Sequence, residues 1–227
     1  MILIGDCGSS KTPEIRNMLD EYVDCEIIPL LDIDIDLTKR YDGIVLSGAP
    51  ILLTEEKTDQ YIKATAWIKE IKIPILGICF GHQLIALQYG GFVKKMKEDR
   101  AFQDIEIFEE SPLFARLPRI IQMQEDHCEL ASVPQGFKLL ASSDTCFNEA
   151  MQHNELPIYG VQFHPEVSGL QGSLIFENFS VFGISIPTYD ANCSTASTKS
   201  KLSCFIKKLI AFPVSLHVKQ WYVPVSS

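Results

Sequence analysis

The chain has 227 residues, 46% hydrophobic and 22% charged, a composition that supports a sizeable core and excludes global disorder. Its formal charge is −9 and it carries no basic stripe, so it offers no footing for nucleic acid. Seven irregularly spaced cysteines without a CxxC pair exclude a disulfide framework or zinc knot and point to a reduced, cytoplasmic protein.

"MILIGD" at the start predicts a strand, and its apolar run is too short for a signal peptide. Thr12, Pro13 and Glu14 read as a helix start, with Thr12 as the capping hydroxyl, and the helix runs over 13–22. "CEIIPL" (25–30) and "GIVLSG" (43–48) predict strands, and the apolar spacing of 58–71 predicts one helix. "IPILGI" (73–78) predicts a buried strand, and "HQLIALQYGG" (82–91) a helix ending at a glycine pair. The second half is richer in strands: 102–108, 120–124, 137–143, 147–151 and 158–164, followed by a closing helix over 172–183.

This β-α-β-α rhythm predicts an α/β fold: a mostly parallel central sheet with helices on both faces and a small antiparallel extension. The polar stretch "YDANCSTASTKS" reads as a linker. The expected division is one domain over 1–185, then a linker and tail of unassigned structure over 186–227. The tail's longest apolar stretch is interrupted by Lys207, Lys208, Pro213 and His217, short of a membrane span.

"GICFGHQ" (77–83) places Cys79 at the predicted strand-to-helix corner, flanked by Gly77 and Gly81. Glycines there let the chain turn tightly, and the helix start aims its dipole and free N–H groups at the sulfur, favouring thiolate. The amide of Phe80 is placed to donate to a developing oxyanion. The other six cysteines (Cys7, Cys25, Cys128, Cys146, Cys193, Cys204) read as small hydrophobes. A nucleophilic thiol needs a base, and the base an orienter. "YGVQFHPEV" (159–167) offers His164 at a strand end and Glu166 two residues on. His82, His127, His153 and His217 read instead as capping histidines at strand ends.

"GICFGHQ" and "GVQFHPEV" together resemble the class I, triad-type glutamine amidotransferases, and "VLSGAP" (45–50) is similar to that family's oxyanion loop. The resemblance covers roughly 1–183. It implies a flavodoxin-like fold, glutamine as substrate, and no metal or organic cofactor for the glutaminase step. By position, Cys79 resembles the nucleophile, His164 the general base and acid, and Glu166 the orienting carboxylate. The amides of Phe80 and of the Gly48–Ala49 turn resemble the oxyanion hole, and Gln83 a substrate-holding side chain.

"HPEV", "EESPLFARLP" and "VPQGFKLLASSDTCFNEAM" are most similar to the GMP synthase branch of the family. The chain has no ATP-pyrophosphatase segment, so the resemblance implies ammonia delivered in trans to an ATP-pyrophosphatase-type synthetase subunit, for making GMP from XMP. An amidotransferase of the anthranilate or aminobenzoate synthase type, a γ-glutamyl hydrolase, and a catalytically idle regulatory module of this fold are the alternatives. Four stretches depart from the family pattern. Ala49 stands in a usual Gly-Gly-Pro, Gln103 replaces a glycine in "RAFQ", "EDH" (125–127) stands for an "HGD"-like stretch, and Gly169–Leu170 replace His-Thr.

Overall fold

The computed structural model describes residues 1–55 and 59–183, so the predicted linker and tail lie outside the described residues. In chain order the elements are β1 (Ile2–Asp6), α1 (Thr12–Asp20), β2 (Cys25–Pro29), α2 (Ile35–Thr38), β3 (Gly43–Leu46), α3 (Asp59–Ala64), β4 (Ile75–Ile78) and α4 (Phe80–Gln88). Then come β5 (Val93–Asp99), β6 (Phe102–Ile107), β7 (Ile120–Gln124), β8 (His127–Ala131), β9 (Phe137–Ser142), β10 (Ala150–His153), β11 (Ile158–Val161) and α5 (Gly169–Asn178).

Nine strands form one mixed sheet in the order β2-β1-β3-β4-β11-β10-β9-β6-β7, and β5 pairs with β8 in a separate ribbon. The pairings from β2 to β11 are parallel, and those from β11 to β7 antiparallel. Strands β3, β4 and β11 are apolar without alternation because both faces of the sheet are covered, and all their residues are buried. Their side chains divide between two cores. Val45, Leu76, Ile78 and Val161 pack with Ile15 and Leu19 of α1 and Ile175 and Phe176 of α5. Ile44, Leu46, Ile75 and Ile158 pack with Leu84 and Ile85 of α4. Because β3, β4 and β11 are parallel neighbours, their carboxyl ends share one rim, where ligands gather in open α/β sheets.

Four expectations change. Thr12 is not a cap: Lys11 occupies that position without a side-chain bond, and the Thr12 hydroxyl donates to Asp6 Oδ1 at 2.7 Å. The helix expected over 58–71 breaks at Thr65, whose hydroxyl bonds back to the Tyr61 carbonyl at 2.8 Å, and continues as a tighter turn over Ala66–Lys69. The helix expected from 82 starts at Phe80, immediately after the cysteine. Strands β5 and β8 were not expected at all. Among the described residues no helix is long and apolar enough to cross a membrane.

Candidate active site

Three loops leave the shared rim side by side: Ser47–Pro50 after β3, Cys79 after β4, and the segment through His164 after β11. Cys79 carries a φ of 49°, a left-handed conformation that costs a non-glycine residue energy. Two close approaches hold it there. A Cβ on Gly77 would lie 2.5 Å from the Gly81 carbonyl carbon, and one on Gly81 would lie 2.6 Å from the Leu46 oxygen. The cysteine's own amide donates to the Val161 carbonyl at 2.8 Å, locking the corner to β11.

His164 is placed by its backbone. Its amide donates to the Gln124 carbonyl at 2.9 Å, and its carbonyl accepts from the Ser168 hydroxyl at 2.6 Å. Its Nδ1 lies 2.7 Å from Glu166 Oε1, and both side chains are buried. A carboxylate can only accept, so Nδ1 carries the hydrogen and Nε2 is the working nitrogen. A Cβ on Gly48 would sit 3.1 Å from His164 Cε1 and 3.7 Å from Cys79 Cβ, so glycine at 48 lets the loop after β3 close against the pair. Burial opposes a charged imidazole here. Hydrogen bonds to the Cys79 sulfur and to Glu166, with the charges of both, outweigh it and raise His164 from 6.5 to about 10.

The amides of Gly48, Ala49 and Phe80 donate to no protein acceptor among the described residues. Ala49 does not adopt a positive φ, so alanine in place of glycine brings no strain to that turn. A cleft of about 310 Å³ opens beside the sulfur, lined by Ala49, Pro50, Cys79, Phe80, Gln83 and Glu129, with Glu98, Arg100 and Asp126 also in its wall. A larger open groove of about 640 Å³, walled by residues of 107–119, contains none of these groups.

Residues 3–181 match the family model of the class-I glutamine amidotransferases. The chain belongs to that family. It is 43% identical over 185 residues to a glutamine-hydrolyzing GMP synthase subunit of Pyrococcus furiosus, covering 79% of this chain and 97% of that protein. The corresponding GMP synthase subunit of Methanocaldococcus jannaschii is 41% identical, with 79% and 95% covered. A solved structure from Thermoplasma acidophilum, described as a GMP synthase subunit protein, superposes with a TM-score of 0.75 at 35% identity, over 81% of this chain and 94% of that one. A glutamine amidotransferase from Thermotoga maritima shares the fold, with a TM-score of 0.62 at 18% identity over 82% and 86% of the two chains.

Within this amidotransferase the other expected residues divide. Gln83 lines the cleft, but its Nε2 is engaged inward, to the Glu129 carbonyl at 3.3 Å and to Gln162 Oε1 at 3.2 Å. Gln103 donates to Asp99 Oδ2 at 2.8 Å. Of the histidines expected to cap, His153 does so, accepting from the amides of Glu155 and Leu156. His82 does not: it is fully buried within α4 against Gly160. His217 lies outside the described residues.

Sequence reading missed Ser168 and Gln124, which hold the His164 backbone, and Glu129. The Glu129 carboxylate accepts from the amides of Leu53 at 2.8 Å and Thr54 at 2.9 Å, tying the loop beyond Ala49 to β8. The available signal was an acid at an inward position of an alternating strand, visible only once β8 is recognised.

Proposed function

We propose that this chain is the glutaminase subunit of a two-subunit GMP synthase, hydrolysing glutamine and passing ammonia in trans to an ATP-pyrophosphatase-type synthetase subunit that aminates XMP. The observation that carries the reading is the contact of the His164 imidazole with the Cys79 sulfur on one side and Glu166 on the other, beside a cleft walled by unspent amides. The relatives named as glutamine-hydrolyzing GMP synthase subunits support the choice of acceptor.

The raised His164 favours an imidazolium beside a thiolate. The sulfur adds to the side-chain amide carbon of glutamine, and the oxyanion falls to the amides of Phe80 and the Gly48–Ala49 turn. His164 Nε2 gives its proton to the departing nitrogen, the C–N bond breaks, and ammonia leaves a γ-glutamyl thioester on Cys79. The neutral imidazole then takes a proton from water, whose oxygen attacks the thioester. Glutamate departs and the thiolate–imidazolium pair returns. The Glu166 carboxylate keeps the hydrogen on Nδ1 and stabilises the charged ring.

The test mixes the chain with a separate ATP-pyrophosphatase synthetase subunit, XMP, ATP and glutamine. GMP formation that needs both subunits, with a glutamine-mimicking diazo ketone labelling Cys79, is the expected result. Labelling elsewhere would remove the triad reading, and ammonia transfer to chorismate instead of XMP would move the chain to another branch.

A further inference from the structure

We propose that Glu125 is a positioning residue that, as the protonated acid, holds one wall of the cleft in place through His127 and Glu129. His127 Nδ1 lies 2.8 Å from the Glu129 carbonyl oxygen. A carbonyl can only accept, so the ring hydrogen sits on Nδ1 and a neutral ring turns the lone pair of Nε2 outward. That lone pair faces Glu125 Oε2 at 3.1 Å. Both atoms are sealed from solvent, and Glu149 is the other side chain within hydrogen-bond reach of the Glu125 carboxyl. A carboxylate and a lone pair do not face each other at that distance in a dry interior, so one proton lies on the line between them.

The surroundings decide which partner carries it. Glu149, just before β10, and Asp99 at the end of β5 put further acids around Glu125, and Cys146 faces the same cluster. The nearby cation is His164, already engaged by Cys79 and Glu166. Burial pushes Glu125 up to about 8, against the pull of Glu149 and His164, and burial pushes His127 down. Both directions place the proton on Glu125. Glu149 is also raised, first by burial and then by Glu125, with its Oε1 accepting from the Ser143 hydroxyl at 2.6 Å.

This bond is the first in a chain that reaches the cleft. The Glu129 carbonyl that holds His127 also accepts from Gln83 on α4, and the Glu129 carboxylate grips the amides of Leu53 and Thr54. Loss of the Glu125 proton leaves two arrangements. A carboxylate confronts the Nε2 lone pair, or the ring moves its hydrogen to Nε2 and turns a lone pair on the Glu129 oxygen. Either one breaks a bond in the wall that glutamine binds against.

The kinetic test rests on the glutaminase reading and compares wild type with Glu125→Gln in the complete two-subunit complex. The glutamine amide donates to Nε2 at every pH and cannot titrate. Between pH 7 and 9 the wild-type KM for glutamine should rise about tenfold, as a single group near 8 requires, while the variant's KM stays level. Equal rises would overturn the proposal. Two readouts need no activity. Ring-nitrogen NMR of His127 in the wild-type chain should show the hydrogen on Nδ1 at pH 7, and an Nε2–H ring would overturn the proposal. The urea midpoint of wild type should fall more than that of Glu125→Gln between pH 5.5 and 8.5, because only the wild-type folded state holds this extra proton there. A wild-type complex that hydrolyses no glutamine would sink the proposed function, and the NMR and urea results would still decide the role of Glu125.

Discussion

At the scale of single residues, the division of labour in the triad is set by what each group can do with a proton. In the proposed reaction Cys79 forms the thioester, so Cys79→Ala should abolish glutamine-dependent GMP formation while the synthetase partner still uses added ammonia. Loss of both activities would mean that the cysteine shapes the subunit rather than attacking substrate. In the proposed reaction His164 carries the proton, whereas Glu166, bonded to it at 2.7 Å, orients the ring and balances its charge. His164→Ala should therefore lower kcat by about 10⁴-fold and Glu166→Gln by about 10²-fold, the upper and lower ends of what a positioned proton carrier contributes. Single-turnover release of glutamate measures both, and equal losses would contradict the assignment. The same reasoning covers Gly48. A methyl group there meets His164 Cε1 at 3.1 Å, so Gly48→Ala should leave the fold intact and cut kcat by about 10²-fold through a displaced ring.

At the scale of elements, the corner between β4 and α4 depends on backbone contact that side chains would prevent. The Cβ of Gly77→Ala would come within 2.5 Å of the Gly81 carbonyl carbon, which belongs to rigid backbone and cannot turn away. The substitution should lower stability by about 1–3 kcal/mol, as overpacking does, and urea unfolding measures it. This corner was legible in the sequence because two physical patterns coincide there: a run buried on both faces, and glycines either side of a cysteine. Strands β1, β3 and β11 were legible for the first of those reasons. The ribbon of β5 and β8 was not. "VKKMKED" has the charge of a solvated segment, and "HCELA" puts polar side chains inward, against the alternation that marks a strand. With β8 hidden, Glu129 had no strand to be placed on and escaped notice, while Glu125 and His127 were seen only as a departure from the family pattern and, for His127, as a capping histidine. The helix over 58–71 failed for a local reason, since the apolar spacing continues past Thr65 but that hydroxyl competes for the helix's own carbonyls.

For the molecule as a whole, the buried titratable groups make stability depend on pH in a definite sense. Glu125 is raised by burial to about 8, and Glu149 is raised further by burial and by Glu125. His164 is raised to about 10, its bonds to Cys79 and Glu166 outweighing burial. Each binds more protons folded than unfolded above its ordinary value, so each contributes stability that is lost as pH climbs through its folded value. His82, lowered by burial to about 3, and His127, also lowered by burial, act in the opposite sense, and their contribution is lost as pH falls below 6.5. Between about pH 4.5 and 6.5 the two raised acids and the two lowered histidines oppose one another, so stability should stay roughly level there and decline above about 6.5, where the acids and His164 act unopposed. Urea midpoints measured from pH 5 to 9 should trace that level stretch and the decline after it, the upper bound chosen because the buried thiol of Cys7, pushed up by burial to about 12, joins the decline only above its ordinary 9.0. Replacing His164 with glutamine removes its share of the alkaline decline and leaves that of the buried acids, so the variant's midpoint should fall less steeply than that of wild type from pH 6.5 to 9. A variant that keeps declining in parallel with wild type up to pH 9 would show that the imidazole is not charged in the folded subunit, and the thiolate–imidazolium starting state would fall with it.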